Sequence, residues 1–184
     1  HVKDVIAGIA PHDSQERFEG LGVTVIREFG KFVDAETVEA GGRRIKARRF
    51  VVATGSSPSA PPIPGLDSVD YLTNENIFDN TVLPSHLIII GGGPIGMEMA
   101  QAHRRLGAKV TVLEAFQPLG KDDPELTSIV LDHLREEGID IRAGVKISNI
   151  AQAGKSKSIE VTLEGDDGKA EKLSGSHLLV AAGR

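Results

Sequence analysis

Between Leu87 and Leu106 the chain runs from four consecutive apolar residues, through three glycines and a proline, into a helical stripe, and few folds accept that order. Leu87-Ile88-Ile89-Ile90 is short, mostly β-branched and fully apolar, so it reads as a strand covered on both faces. Residues 94–106 place apolar side chains at Ile95, Met99, Ala102 and Leu106, the period of a helix that Gly107 closes. The junction Gly91-Gly92-Gly93-Pro94-Ile95-Gly96 has the form G-x-G-x-x-G. A second strand, residues 109–114, ends on Glu114.

Each position of that junction has a physical task. Gly91 permits a tight turn, Gly93 removes a side chain where a pyrophosphate would approach, and Gly96 lets the helix pack against the strand. The N-terminus of the helix offers N–H groups and a partial positive charge to phosphates. Glu114 can accept hydrogen bonds from both hydroxyls of an adenosine ribose and would repel a 2′-phosphate, which predicts NAD rather than NADP. The competing reading is a packing turn followed by an incidental surface acid. Glu98, one turn into the helix, has two readings of equal standing: a nicotinamide neighbour or a complement to the helix dipole.

The remainder of the second half continues the pattern. Asp123 caps a helix with Pro124 at its first position and Gly138 at its end, with Leu126, Ile129, Val130 and Leu134 as its expected buried face. Ile139-Asp140-Ile141 is a third strand, and residues 145–152, 158–164 and 169–173 read as an antiparallel meander. Residues 164–168 read as its hairpin turn, with too few carboxylates for a calcium loop. An apolar strand over residues 178–182 follows. Strand, helix, strand, helix, strand predicts an α/β fold with a doubly wound, Rossmann-type sheet.

The first half is weaker. A helical stripe at Val2, Val5, Ile6 and Ile9 ends at Pro11, and Asp13 with Glu16 suggests a capping box for a short second helix whose Phe18 and Leu21 face inward. Residues 22–27 alternate as a strand, residues 31–33, 36–39 and 43–49 as a meander, and residues 50–55 as a buried strand ending in Gly55. Four prolines within residues 56–65 suit neither helix nor strand, which sets the expected boundary between a domain at 1–65 and one at 66–184. One short helix is expected around residues 74–78. Residues 22–55 and 138–183 share one plan: a glycine, a strand, a meander and an apolar strand closed by glycine. The two halves thus look like copies of one architecture, the first without an opening strand-helix-strand.

Composition excludes several classes. With 21 Lys and Arg against 26 Asp and Glu the net charge is −5, and no basic run is long enough for a nucleic-acid face. No apolar stretch approaches the roughly 18 residues of a membrane span, and no signal peptide opens the chain, so a cytoplasmic location is expected. There are no cysteines, which removes disulfides, thiolate metal sites and thiol catalysis from this chain. The six histidines show no metal spacing; His103 and His133 are read as solvated. Both ends read as cuts, pointing to an internal piece of a longer protein.

Taken together, Val52-Ala53-Thr54-Gly55-Ser56 with Pro61-Pro62-Ile63-Pro64-Gly65, the run from Gly91 to Glu98, Val112-Leu113-Glu114 and Ala182-Gly183-Arg184 resemble the pyridine nucleotide-disulfide oxidoreductases. That resemblance implies paired FAD and NAD domains, the NAD domain inserted in the FAD domain. It implies that Gly91, Gly92, Gly93, Pro94, Ile95, Gly96, Met97 and Glu98 hold the pyrophosphate and nicotinamide side of NAD. It places Glu114 on the ribose, Ile147 at the adenine end and Gly183 at the nicotinamide half. Gly30, Thr54, Gly55 and Ser56 match positions that line FAD; from the residues alone they are turn chemistry. The dihydrolipoamide dehydrogenase branch is favoured by Glu114, with mercuric reductase, NADH oxidase, quinone reductase or a stand-alone NAD-binding module as alternatives. The family's first G-x-G-x-x-G, its C-x-x-x-x-C and its dimerisation domain with a catalytic histidine have no counterpart in this sequence. No catalytic residue is therefore assigned, the piece alone is expected not to reduce a disulfide, and any homodimer is expected of the parent.

Overall fold

The computed structural model describes residues 1–154, 158–165 and 169–183. It is a mixed α/β structure that divides into two compact units, His1–Gly55 and Ser56–Arg184. The division falls at the front of the proline-rich stretch, which belongs to the second unit: Ile63 packs on its core, and Pro64 accepts a hydrogen bond from Ile150 N (2.9 Å).

In the first unit, α1 (Val2–Ile9) passes through a 3-10 turn (Ala10–Asp13) into α2 (Gln15–Gly20). Ser14 rather than Asp13 caps α2, its hydroxyl accepting from Arg17 N at 3.2 Å, because Asp13 is still inside the preceding turn. Strands β1 (Lys31–Asp34), β2 (Thr37–Ala40) and β3 (Arg43–Lys46) form an antiparallel sheet in that order. The strands expected at 22–27 and 50–55 are absent, and Val51 is 91% exposed. Phe18 and Leu21 are exposed as well. The cause is shared. A strand forms only beside a neighbour that pairs with its backbone, and none of the three strands described in this unit pairs with either segment.

The second unit supplies such neighbours. β4 (His86–Ile90), α3 (Pro94–Arg105), β5 (Lys109–Leu113), α4 (Pro124–Glu136) and β6 (Asp140–Arg142) alternate along the chain. β7 (Ile147–Ala153), β8 (Ser158–Glu164) and β9 (Ala170–Gly175) form an antiparallel sheet, and β10 (His177–Val180) rejoins the parallel sheet in the order β10-β4-β5-β6. The turn expected at 164–168 includes residues outside those described. The helix expected around 74–78 is a 3-10 turn, Ile77–Asp79. The parallel sheet is buried on both faces. One face packs Leu87, Ile89, Val110 and Val112 under the helices; the other packs Ile88, Ile90 and Leu113 against Ile150, Val161 and Leu163. Each such side chain contributes roughly 1.5–3 kcal/mol, so this three-layer sandwich is where the stability lies. Among the described residues no helix is long and apolar enough to cross a membrane.

Two helical faces differ from the sequence reading. On α3 the buried residues are Gly96, Met97 and Ala100, whereas Leu106 is exposed. A Cβ on Gly96 would run into the Gly91 carbonyl, so the glycine has to face the strand, and it rotates the stripe by about one position. On α4 only Leu134 is buried, with Leu131 partly so; Leu126, Ile129 and Val130 point outward.

The C-terminal ends of these helices are clamped by Glu137. Its carboxylate takes Arg105 in a two-pronged ion pair (2.7 and 3.0 Å), Gln101 Nε2 at 2.9 Å and the His133 ring at 3.1 Å, while its carbonyl accepts Arg104 Nε at 2.7 Å. The Arg105 guanidinium holds the Glu137 carboxyl down at about 2, against an ordinary 4.5. A carboxyl depressed in the folded state stabilises fully above the unfolded value, and the contribution disappears as pH falls toward the folded one. Urea unfolding from about pH 5 to about pH 3 is therefore expected to show a steeper loss of stability for wild type than for E137Q. Equal slopes would remove the clamp from the account.

Candidate functional site

The order β10-β4-β5-β6 means that the chain leaves β4 in one direction and returns on its other side. Ligands of such sheets bind outside the carboxyl ends of the strands at that reversal. Here the reversal lies between Gly91, which follows β4, and Ala181, which follows β10. The strands are so close there that a Cβ on Gly91 would strike the Ala181 carbonyl, and Gly91 has φ 109°, a conformation that only glycine adopts readily.

A cavity of about 630 Å³ opens at this point, walled by residues 91–95, Glu114, the loop 116–122 and residues 181–183. A second, of about 520 Å³, adjoins it on the antiparallel-sheet side and shares Gly91, Glu114, Phe116 and Ala182; Ile147 and Ile63 form its apolar wall. Gly93 has open space where a side chain would stand and an ordinary extended backbone (φ −76°, ψ −179°). It is also the N-cap of α3, whose first turn has no side-chain cap.

Glu114 is fixed by the loops around it. One carboxylate oxygen accepts from Gly92 N at 2.6 Å and the other from Phe116 N at 2.9 Å. A carboxylate has about four acceptor positions, so capacity for two further donors remains. The loop after β5 is tied down in turn. Leu119 N donates to Gly92 O (2.9 Å), Gly144 N donates to Phe116 O (3.0 Å), and Leu119 holds a left-handed φ of 53° while its side chain packs on the core. Lys121 brings a cation to the same wall.

Of the residues chosen from sequence, Gly91, Gly92, Gly93, Pro94, Ile95, Glu114 and Gly183 line the first cavity, and Ile147 lines the second. Gly96 and Met97 are buried beneath it as packing residues. Glu98 is exposed and outside both walls. Gly30, Thr54 and Gly55 are exposed in the first unit, and Ser56 opens the second; none lines either cavity. His103 is half-buried, its Nδ1 lying 2.8 Å from Met99 O, while His133 pairs with Glu137. The sequence reading missed the loop 116–122, which carries no motif.

The family model described as pyridine nucleotide-disulphide oxidoreductase matches residues 12–184. The chain belongs to that family. Among curated members of the family, a mercuric reductase of Bacillus cereus is 39% identical over 167 residues, covering 90% of this chain and 26% of that protein. A mercuric reductase of Staphylococcus aureus is 34% identical over 182 residues, covering 96% and 33%. Among solved members, LpdA of Mycobacterium tuberculosis superposes with a TM-score of 0.75 at 27% identity over 94% of this chain and 39% of that one. The HOCl-induced flavoprotein disulfide reductase RclA of Escherichia coli, as its Cu(II) complex, gives 0.73 at 27% over 92% and 39%. The chain thus spans about a quarter to a third of these curated relatives.

Proposed function

We propose that the second unit is the NAD(H)-binding domain, of the doubly wound Rossmann type, of an FAD-dependent oxidoreductase that moves hydride between NAD(H) and flavin and electrons onward to an acceptor. The observation that carries this reading is the placement of the Glu114 carboxylate in one cavity with Gly91–Gly93, the start of α3 and Gly183, at the strand-order reversal. The nicotinamide, when bound, supplies the hydride chemistry; the residues supply place and polarity. Open space at Gly93 and the uncapped start of α3 suit a pyrophosphate, and Lys121 adds charge complementarity. Glu114 would hold the ribose hydroxyls, Ile147 the adenine end, Gly183 and Glu98 the nicotinamide half.

The first unit, His1–Gly55, belongs on this reading to the flavin-binding part of the parent, with Gly30, Thr54, Gly55 and the adjoining Ser56 facing FAD there. Absorbance of the purified chain is expected to show no stoichiometric flavin, and a one-to-one flavin spectrum would refute that half of the reading. Glu114 favours NADH and, with it, a dihydrolipoamide dehydrogenase-like parent. The names of the curated relatives favour mercuric ion as acceptor instead. Acceptor-dependent NADH oxidation by the intact parent, with mercuric ion against lipoamide, separates the two. For the nucleotide itself, calorimetric titration of the chain is expected to show saturable NADH binding and much weaker NADPH binding. No NADH binding, or a preference for NADPH, would end the proposal.

A further inference from the structure

Phe116 is 80% exposed, and it is the one aromatic residue among those lining the two cavities. An exposed phenylalanine alone signifies nothing. This one is held on both sides by its backbone: its N–H donates to Glu114 Oε1 at 2.9 Å, and its carbonyl accepts from Gly144 N at 3.0 Å. It stands in the wall common to both cavities, beside the carboxylate assigned to the ribose. We infer that Phe116 is the stacking platform for the adenine ring of the dinucleotide, an assignment that rests on the NAD(H) reading of this site.

In adenosine the base is attached to the carbon beside the hydroxyl-bearing ones, so a ribose held on Glu114 delivers its base to the loop that carries Phe116. That loop is fixed by the same carboxylate, so the group that binds the sugar also anchors the backbone that carries the ring. Across the second cavity Ile147 and Ile63 offer an apolar wall, so a flat base could lie between ring face and aliphatic side chains. An aromatic face accepts a base through its π-surface without needing donors or acceptors. With its backbone already fixed, the ring has only its two side-chain torsions to immobilise on stacking.

The sequence contains no tryptophan, so F116W makes the 184-residue chain report on this one position. ADP-ribose, which carries the adenine but no nicotinamide to absorb the emission, is expected to quench F116W fluorescence saturably. By calorimetry F116A is expected to bind ADP-ribose and NADH about 5- to 100-fold more weakly than wild type, and F116Y to restore most of the loss. Because the ring is solvent-exposed, all three variants are expected to keep the wild-type circular dichroism and melting temperature. Wild-type binding of NADH with unaltered F116A affinity, or F116W emission unmoved by saturating ADP-ribose, would overturn the platform and leave the site reading in place. A wild-type chain that binds neither NADH nor ADP-ribose would overturn both.

Discussion

Replacing Gly93 by alanine is expected to leave the fold intact and to weaken nucleotide binding, while the same replacement at Gly91 is expected to damage the fold itself. The two residues are two positions apart in one motif, yet their surroundings differ completely. At Gly91 a Cβ would strike the Ala181 carbonyl, and the backbone is at φ 109°, where L-residues are strained. Strain of that kind and overpacking against backbone together cost about 2–5 kcal/mol. A loss of that size is a large part of a domain's typical stability. At Gly93 the backbone is extended and the space is open, so alanine meets nothing in the protein alone. If that space is reserved for pyrophosphate, the methyl group meets it there. NADH affinity should then fall by more than about tenfold at an unchanged melting temperature. A G93A variant that melts as wild type and binds NADH as tightly would show that the open space has no such use.

The second large effect is expected at Glu114. Removing a carboxylate that accepts from both ribose hydroxyls forfeits two charge-assisted hydrogen bonds of about 1.5–3 kcal/mol each, so E114A should bind NADH roughly 100- to 10,000-fold more weakly. NADPH should respond in the opposite direction, because its 2′-phosphate no longer faces a like charge. The opposition matters, since Glu114 also anchors Gly92 N–H and Phe116 N–H. If its role were only to order those loops, its loss would weaken both nucleotides together. Titration of E114A with each nucleotide distinguishes these outcomes. E114Q is a useful third variant: its amide nitrogen cannot accept from a backbone N–H, so one of the two loop bonds must be lost even though shape is kept.

How far the sequence carried the reading depended on whether a residue's environment was local. β4, β5 and the start of α3 were legible because an apolar run, a glycine turn and a helical stripe follow one another without a break. Glu114 was legible because a parallel strand delivers its last residue to the carboxyl edge. The rotation of α3 was not legible, since the approach of Gly96 to the Gly91 carbonyl, rather than the largest side chains, decides which face is buried. The outward turn of Leu126, Ile129 and Val130 on α4 shows the same limit: an apolar stripe states what could be buried, not what is opposite it. The strands expected at 22–27 and 50–55 failed for want of partners. Their counterparts in the second unit, β6 and β10, have them in β5 and β4. The loop 116–122 was invisible because its shape rests on tertiary hydrogen bonds and on a leucine in the left-handed region, which leucine rarely prefers.

Whether the cleft at the β4–β10 reversal is a dinucleotide site can be read residue by residue from amide NMR of the chain titrated with NAD⁺. Saturable shifts are expected at Gly92, Gly93, Ile95, Glu114, Phe116 and Gly183, with the amides of α4 unmoved. Titration without shifts at the glycine turn, or with shifts confined to residues 69–72 and 176–178 at the cavity beside His177, would contradict it.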